Sequence, residues 1–104
     1  MFKQLTCLEA EELINDSAAI IADVRDNESY NESHINGAIH LSVSALQDFC
    51  STVDKNQAIL VYCYHGISSQ SVAQHLVEQG FSSVYSLMGG FETWRAHHPT
   101  SDES

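Results

Sequence analysis

Basic residues are scarce in this sequence: four Lys and Arg stand against fourteen Asp and Glu, a formal charge of −10. Phosphate backbones and anionic headgroups are bound by clustered cations, so neither nucleic acid nor an anionic membrane is expected as the main partner. No apolar run approaches the ~18 residues that a membrane-crossing helix needs, and Met1–Thr6 has no long apolar stretch behind Lys3, so the chain is expected to stay in the cytoplasm. The three cysteines, Cys7, Cys50 and Cys63, are an odd number at irregular spacing. A disulfide framework is therefore not expected, and at least one thiol stays free within the chain. No two of them form a C-x-x-C, so a zinc ribbon or a thioredoxin-type redox motif has no support. With one Pro and five Gly among 104 residues, 43% of them apolar, the chain is neither collagen-like nor disordered. A domain of this size buries roughly 65% of its unfolded surface, enough for one modest core.

Thr6-Cys7-Leu8-Glu9 is a capping-box pattern that opens a short helix, with Ala10, Leu13 and Ile14 on one face and Asn15-Asp16-Ser17 at its end. The continuous apolar run Ala18–Val24 predicts a strand buried on both faces. Arg25-Asp26-Asn27-Glu28 starts a loop or short helix, and Gly37–Leu41 reads as another strand. Ser44-Ala45-Leu46-Gln47 repeats the capping-box pattern before Leu46, Phe49, Cys50 and Val53 at helical spacing. Ala58–Tyr62 is the most strand-like run. A helix from about Ser69 carries Val72, Ala73, Leu76 and Val77 on one face and ends at Gly80. Ser83–Leu87 is the last strand, Gly89-Gly90 a turn, and Phe91–His98 a final helix stopped by Pro99, with Phe91 and Trp94 as core. The chain is thus read as a single α/β domain over 1–99, a mostly parallel central sheet flanked by helices, followed by a frayed tail over Thr100–Ser104.

Ligands of open parallel sheets bind outside the carboxyl ends of the strands. Two apolar runs end there with chemistry attached, Asp23-Val24-Arg25 and Tyr62-Cys63. Between Cys63 and a helix starting near Ser69, Tyr64, His65, Gly66, Ile67 and Ser68 must curl around the sulfur, with Gly66 supplying backbone freedom. Such a loop turns consecutive N–H groups inward, and the following helix adds unpaired amides and the positive end of its dipole. The expectation is an anion cradle centred on a thiol whose pKa lies below the free value of ~8.5. The same donors suit a persulfide held on Cys63. Phosphate-ester hydrolysis in this geometry wants an Arg at the sixth position after the cysteine. Here that position is Ser69, and Cys63–Ser71 contains no Lys or Arg.

Four segments in order give the chain a family likeness: Asp23-Val24-Arg25-Asp26, then Ser33-His34-Ile35-Asn36-Gly37-Ala38-Ile39-His40-Leu41, then Cys63-Tyr64-His65-Gly66-Ile67-Ser68-Ser69, then Gly89-Gly90-Phe91-Glu92-Thr93-Trp94. Over nearly its whole length the chain resembles the rhodanese family, in particular the short single-domain thiosulfate sulfurtransferases of GlpE type. The resemblance implies that Cys63 attacks the outer sulfur of thiosulfate or another sulfane-sulfur donor, releases sulfite, and holds a persulfide. Cyanide or a thioredoxin-like dithiol acceptor then removes the sulfur, a two-step covalent cycle that needs no metal or organic cofactor. Family members often carry a basic residue in or just after this loop. This chain has none, which leaves backbone amides as the main source of anion affinity.

Other readings stand beside these. A non-catalytic rhodanese-like module would use the same cradle to recognise an anionic or persulfidated partner. Cys7 and Cys50 read as packing residues, Cys50 also as a candidate resolving thiol. His65 either lends a hydrogen bond or charge to the loop or faces solvent, while Tyr64, Ile67 and Ser68 are expected to act through their amides more than their side chains, the Ser68 hydroxyl being a further candidate donor. Arg25 either reaches toward the anion or pairs with Asp23 or Asp26. His34, His40 and Cys63 fit no zinc spacing. The acidic surplus slows encounter with an anionic donor, so a protein persulfide is a second candidate donor.

Overall fold

A computed structural model describes residues 1–98 and 100–101. The elements run β1 (Lys3–Leu5), α1 (Cys7–Asp16), β2 (Ile20–Asp23), α2 (Asn27–Glu32), β3 (His34–Ile35), β4 (Ile39–His40), a 3-10 turn (Val43–Ala45), α3 (Leu46–Thr52), β5 (Ile59–Tyr62), α4 (Ser68–Glu78), β6 (Val84–Leu87), α5 (Gly90–Arg95) and β7 (Thr100–Ser101). Five strands form one sheet in the order β1-β6-β5-β2-β4, every neighbouring pair parallel. The two longest apolar runs of the sequence are its adjacent central strands, with Ile20 to Asp23 in register with Ile59 to Tyr62.

All four residues of β5 are fully buried, because strand alternation sends them to two cores. Leu60 and Tyr62 join Leu5, Ala10, Ile21, Leu87, Phe91 and Trp94 beneath α1 and α5. Ile59 and Val61 join Ala22, Phe49, Cys50, Ala73, Leu76 and Phe81 beneath α3 and α4. Helices on both faces explain why the central strands are continuously apolar rather than alternating.

The Thr6 capping box forms in full: the Glu9 amide donates to Thr6 Oγ1 at 3.2 Å and the Thr6 amide donates to Glu9 Oε1 at 2.9 Å. The second expected box does not form. Ser44 lies inside the 3-10 turn, its Oγ 3.2 Å from Ser42 Oγ, and α3 starts from Ala45 without a side-chain cap. Ser42 opens the helical turn, so Ser44 already lies within it and does not take the extended N-cap backbone that a box with Gln47 needs.

Three strands escape the sequence reading. β1 adds an edge to the sheet beside β6. β3 pairs antiparallel with β7, His34 opposite Ser101 and Ile35 opposite Thr100. Thr100 and Ser101 are thus a strand where a frayed tail was expected, because β3 offers them a backbone edge to pair with. The stop assigned to Pro99, and Asp102–Ser104, lie outside the described residues. Among those described, no helix is long and apolar enough to cross a membrane.

Candidate active site

The carboxyl ends of β2 and β5 lie side by side, and a buried ionic network locks them together. Asp23, fully buried at the end of β2, accepts from Arg25 Nη2 at 2.7 Å, from Arg25 Nε at 3.1 Å, from the Arg25 amide at 2.8 Å and from Tyr62 Oη at 2.6 Å. Arg25 Nη2 also donates to the Ser33 carbonyl at 2.6 Å, and the Ile35 amide donates to Tyr62 Oη at 3.2 Å. Burial opposes the guanidinium charge, but the hydrogen-bonded Asp23 carboxylate more than offsets it and the Arg25 pKa moves up. Burial, with Asp23 adding to it, pushes the Tyr62 phenol pKa up as well, so that hydroxyl is a fixed donor. The Arg25 guanidinium lies 4.1 Å from the Phe91 ring centre and 5.2 Å from that of Tyr64. Of the two readings of Arg25, the pairing with Asp23 is the one the fold adopts.

Cys63 follows β5 directly, and the next four residues wrap its sulfur before α4 begins at Ser68, one residue earlier than expected. The Gly66 and Ser69 amides each donate to Cys63 Sγ at 3.2 Å. Gly66 has φ +86°, and a Cβ there would come within 2.9 Å of the Gly89 amide nitrogen and the Leu87 carbonyl oxygen. Only glycine therefore lets the loop pass this close to the end of β6. Burial would raise the Cys63 pKa, but the Ser69 hydroxyl and the Ser69, Gly66 and His65 amides together bring it below the ordinary thiol value.

The carbonyl side of the loop is held by the Gly89-Gly90 turn and the first residues of the helix that follows it. At the start of α5 the Phe91 amide donates to the Cys63 carbonyl at 2.8 Å, and the Glu92 amide donates to the Tyr64 carbonyl at 3.1 Å. Gly90, at φ +60°, makes this approach possible: a Cβ would lie 2.5 Å from the Cys63 and Tyr64 carbonyl oxygens. With those carbonyls turned toward α5, the amides of the same loop are free to face the sulfur. The doubled glycine ahead of a helix was the available signal, and its partner in the fold was not.

Cys63 sits at the bottom of a cleft of about 380 Å³, lined also by Val24, Arg25, Asp26, Tyr64, His65, Ile67 and Ser68. All the expected loop residues thus come together: Tyr64, His65, Ile67 and Ser68 form walls, while Gly66 and Ser69 supply amides. The Tyr64 hydroxyl bonds Ser29 Oγ, which in turn donates to Asp26 Oδ1 at 2.8 Å, tying the loop to α2. His65 is exposed and acts on the sulfur through its amide.

Cys50 opens instead on a separate cleft of about 520 Å³ with Val43, Leu46 and His75, so it does not share the Cys63 chamber. Cys7 packs against the core beneath α1, where burial pushes its pKa up. His34 Nδ1 donates to the Tyr30 carbonyl at 2.9 Å and His40 Nε2 to the Arg25 carbonyl at 2.7 Å. Neither ring is directed at Cys63 by these bonds.

Two expected outcomes follow from the loop geometry. In a pH series, alkylation of Cys63 by iodoacetamide has its midpoint below that of Cys7, whose thiol is shifted the other way; the order is read from peptide masses. A reversed order would mean that the amides do not set the ionisation. In Gly66→Ala the positive φ costs about 1–3 kcal/mol and the displaced amide leaves the sulfur. Alkylation at neutral pH is then expected to fall by about tenfold or more relative to the native protein.

A rhodanese-like domain model matches residues 6–97. The thiosulfate sulfurtransferase GlpE of Coxiella burnetii (strain RSA 493 / Nine Mile phase I) is 65% identical over 102 residues, covering 98% of this chain and 95% of that protein. The protein of the same name from Stutzerimonas stutzeri (strain A1501) is 46% identical over 102 residues, covering 98% and 93%. Among solved structures, the rhodanese-like domain of an Anabaena sp. protein superposes with a TM-score of 0.87 at 28% identity, over 98% of this chain and 80% of the other. A rhodanese-like domain protein from Staphylococcus aureus gives a TM-score of 0.85 at 23% identity, over 99% and 100%, and supports the fold. A parallel sheet with a cysteine cradle at its carboxyl edge, matched along nearly the whole chain, places this protein in the rhodanese family, among the single-domain members of GlpE type.

Proposed function

We propose that the protein is a thiosulfate sulfurtransferase that works through a Cys63 persulfide. The relatives named for that activity span nearly the full chain. The observation that carries the reading is the pair of amides, from Gly66 and Ser69, aimed at Cys63 Sγ at the bottom of an open cleft. In the first step the Cys63 thiolate attacks the outer sulfur of thiosulfate; a Cys63–sulfur bond forms, the bond to the sulfonyl sulfur breaks, and its electron pair leaves on sulfite. In the second step cyanide attacks the outer sulfur of the persulfide, the S–S electron pair returns to Sγ, and thiocyanate leaves. A thioredoxin-like dithiol performs the same second step with a thiolate in place of cyanide.

The charge of donor and persulfide is met here by main-chain dipoles. The loop has no cation, and the adjacent Arg25 is already committed to Asp23. Electrostatic stabilisation by preorganised amides is strong in a partly dry site and needs no rearrangement during reaction. The −10 net charge works against dianionic donors, which keeps a protein persulfide as a second donor class. The cytoplasm, with its supply of reduced dithiols, is the compartment that goes with this reading.

Intact-protein mass after incubation with thiosulfate tests the proposal. The expected result is one added sulfur, located on the Cys63 peptide and removed by cyanide. An unchanged mass at saturating thiosulfate would leave the cradle as a non-catalytic site that recognises an anionic or persulfidated partner.

A further inference from the structure

We propose that Ser86 is a positioning residue for sulfur transfer: its hydroxyl is hydrogen-bonded to Ser69 Oγ and so holds the Ser69 amide on the Cys63 sulfur. The inference rests on the sulfurtransferase reading of the same site and assigns a role to a residue of β6, outside the loop and outside the cleft lining.

Ser69 and Ser86 are both fully buried, and their Oγ atoms lie 2.9 Å apart. Ser86 stands on β6, in register with Val61 of β5, one strand over from the cysteine-bearing end. With both serines sealed from solvent, their contact fixes the Ser69 side chain against β6 and with it the first turn of α4, whose Ser69 amide lies 3.2 Å from Cys63 Sγ. Without the Ser86 hydroxyl that turn loses its anchor, and the amide is no longer held on the sulfur. Ser69 is also foremost among the groups that draw the Cys63 pKa down.

The pair bears on both half-reactions. Before attack the negative charge is on Sγ; in the persulfide it moves to the outer sulfur, about 2 Å farther out. When cyanide takes that sulfur, charge returns to Sγ, where the Ser69 amide meets it. A thiol of lower pKa is the better leaving group, so Ser86 is expected to speed sulfur release more than sulfur loading.

The test measures the pH profile of Cys63 alkylation by iodoacetamide, read by peptide mass, and the rate at which cyanide strips sulfur from the loaded enzyme. In Ser86→Ala the alkylation midpoint moves up, the rate on its acid limb falls by about three- to tenfold, and cyanide-dependent release slows by a similar factor. Placed in a Ser69→Ala background, Ser86→Ala has no further effect on the midpoint, since the two act as one unit. Ser86→Cys, close in size and a weaker donor, gives a smaller shift in the same direction and serves if the alanine variant does not fold. A merely structural serine would lower the melting temperature and leave the midpoint in place. Profiles that superimpose on the native protein, or a shift that survives in the Ser69→Ala background, would overturn the assignment. Native protein that takes no sulfur from thiosulfate would count against the sulfurtransferase reading instead, while the alkylation profiles still judge Ser86.

Discussion

Replacing Cys63 by Ser is expected to lower thiosulfate:cyanide sulfur transfer by at least about a thousandfold, because the reaction loses its nucleophile. The serine hydroxyl keeps the shape and accepts the same Gly66 and Ser69 amides, but with a pKa far above neutrality it supplies almost no anion, and an O–S bond is no substitute for a persulfide. Folding should survive. Cys63 is buried, and its side chain touches the fold chiefly through those two amides, so the melting temperature is expected to stay within about 5 °C, the equivalent of roughly 1 kcal/mol for a domain of this size. Turnover assays and a thermal melt on the same preparation check both halves. Residual transfer above about one per cent of native would move the nucleophile elsewhere. Cys50 is the only other buried thiol, and it sits in a different cleft.

Much of the site was legible in the sequence because its parts are contiguous. A buried apolar strand, a cysteine, one glycine and an amphipathic helix occur in order over Ile59–Glu78, and their local geometry largely forces the amides inward. The helix start was off by one residue, as expected where a loop curls into a first turn. What the sequence hid is what comes from far along the chain. Gly90 and the Phe91 and Glu92 amides grip the loop from more than two dozen residues away, and Tyr62 reaches Asp23 across 39 positions. Nothing in local periodicity marks such pairs. The short strands failed for a related reason: Lys3–Leu5, His34–Ile35 and Thr100–Ser101 are too brief to show alternation and exist because an edge was there to receive them. Ser44 failed on local competition, since the turn that Ser42 opens draws Ser44 into helical backbone two residues before the helix it was to cap.

Asp23→Asn is expected to cost about 3–5 kcal/mol of folding stability, the largest effect of any single substitution proposed for the fold. The asparagine fills the same volume but withdraws the charge that Arg25 was buried to meet. Its amide hydrogens then face either the Arg25 guanidinium or Tyr62 Oη, both of which were donating to Asp23. Four hydrogen-bond donors on Arg25 and Tyr62 converge on this one carboxylate, so the loss is concentrated at the seam between β2 and β5 rather than spread over the core. Against a typical total of 5–15 kcal/mol, such a loss brings the domain close to its unfolding threshold at ambient temperature. Urea unfolding at constant m-value measures it directly. Adding Arg25→Met to Asp23→Asn removes the uncompensated guanidinium and should return about 1–3 kcal/mol, since a buried pair replaced as a whole costs less than one broken in half. That recovery separates the ion pair from the stacking: if Arg25→Met deepened the loss instead, the contact of the Arg25 guanidinium with the Phe91 and Tyr64 rings, rather than the ion pair, would be what secures the floor of the cleft.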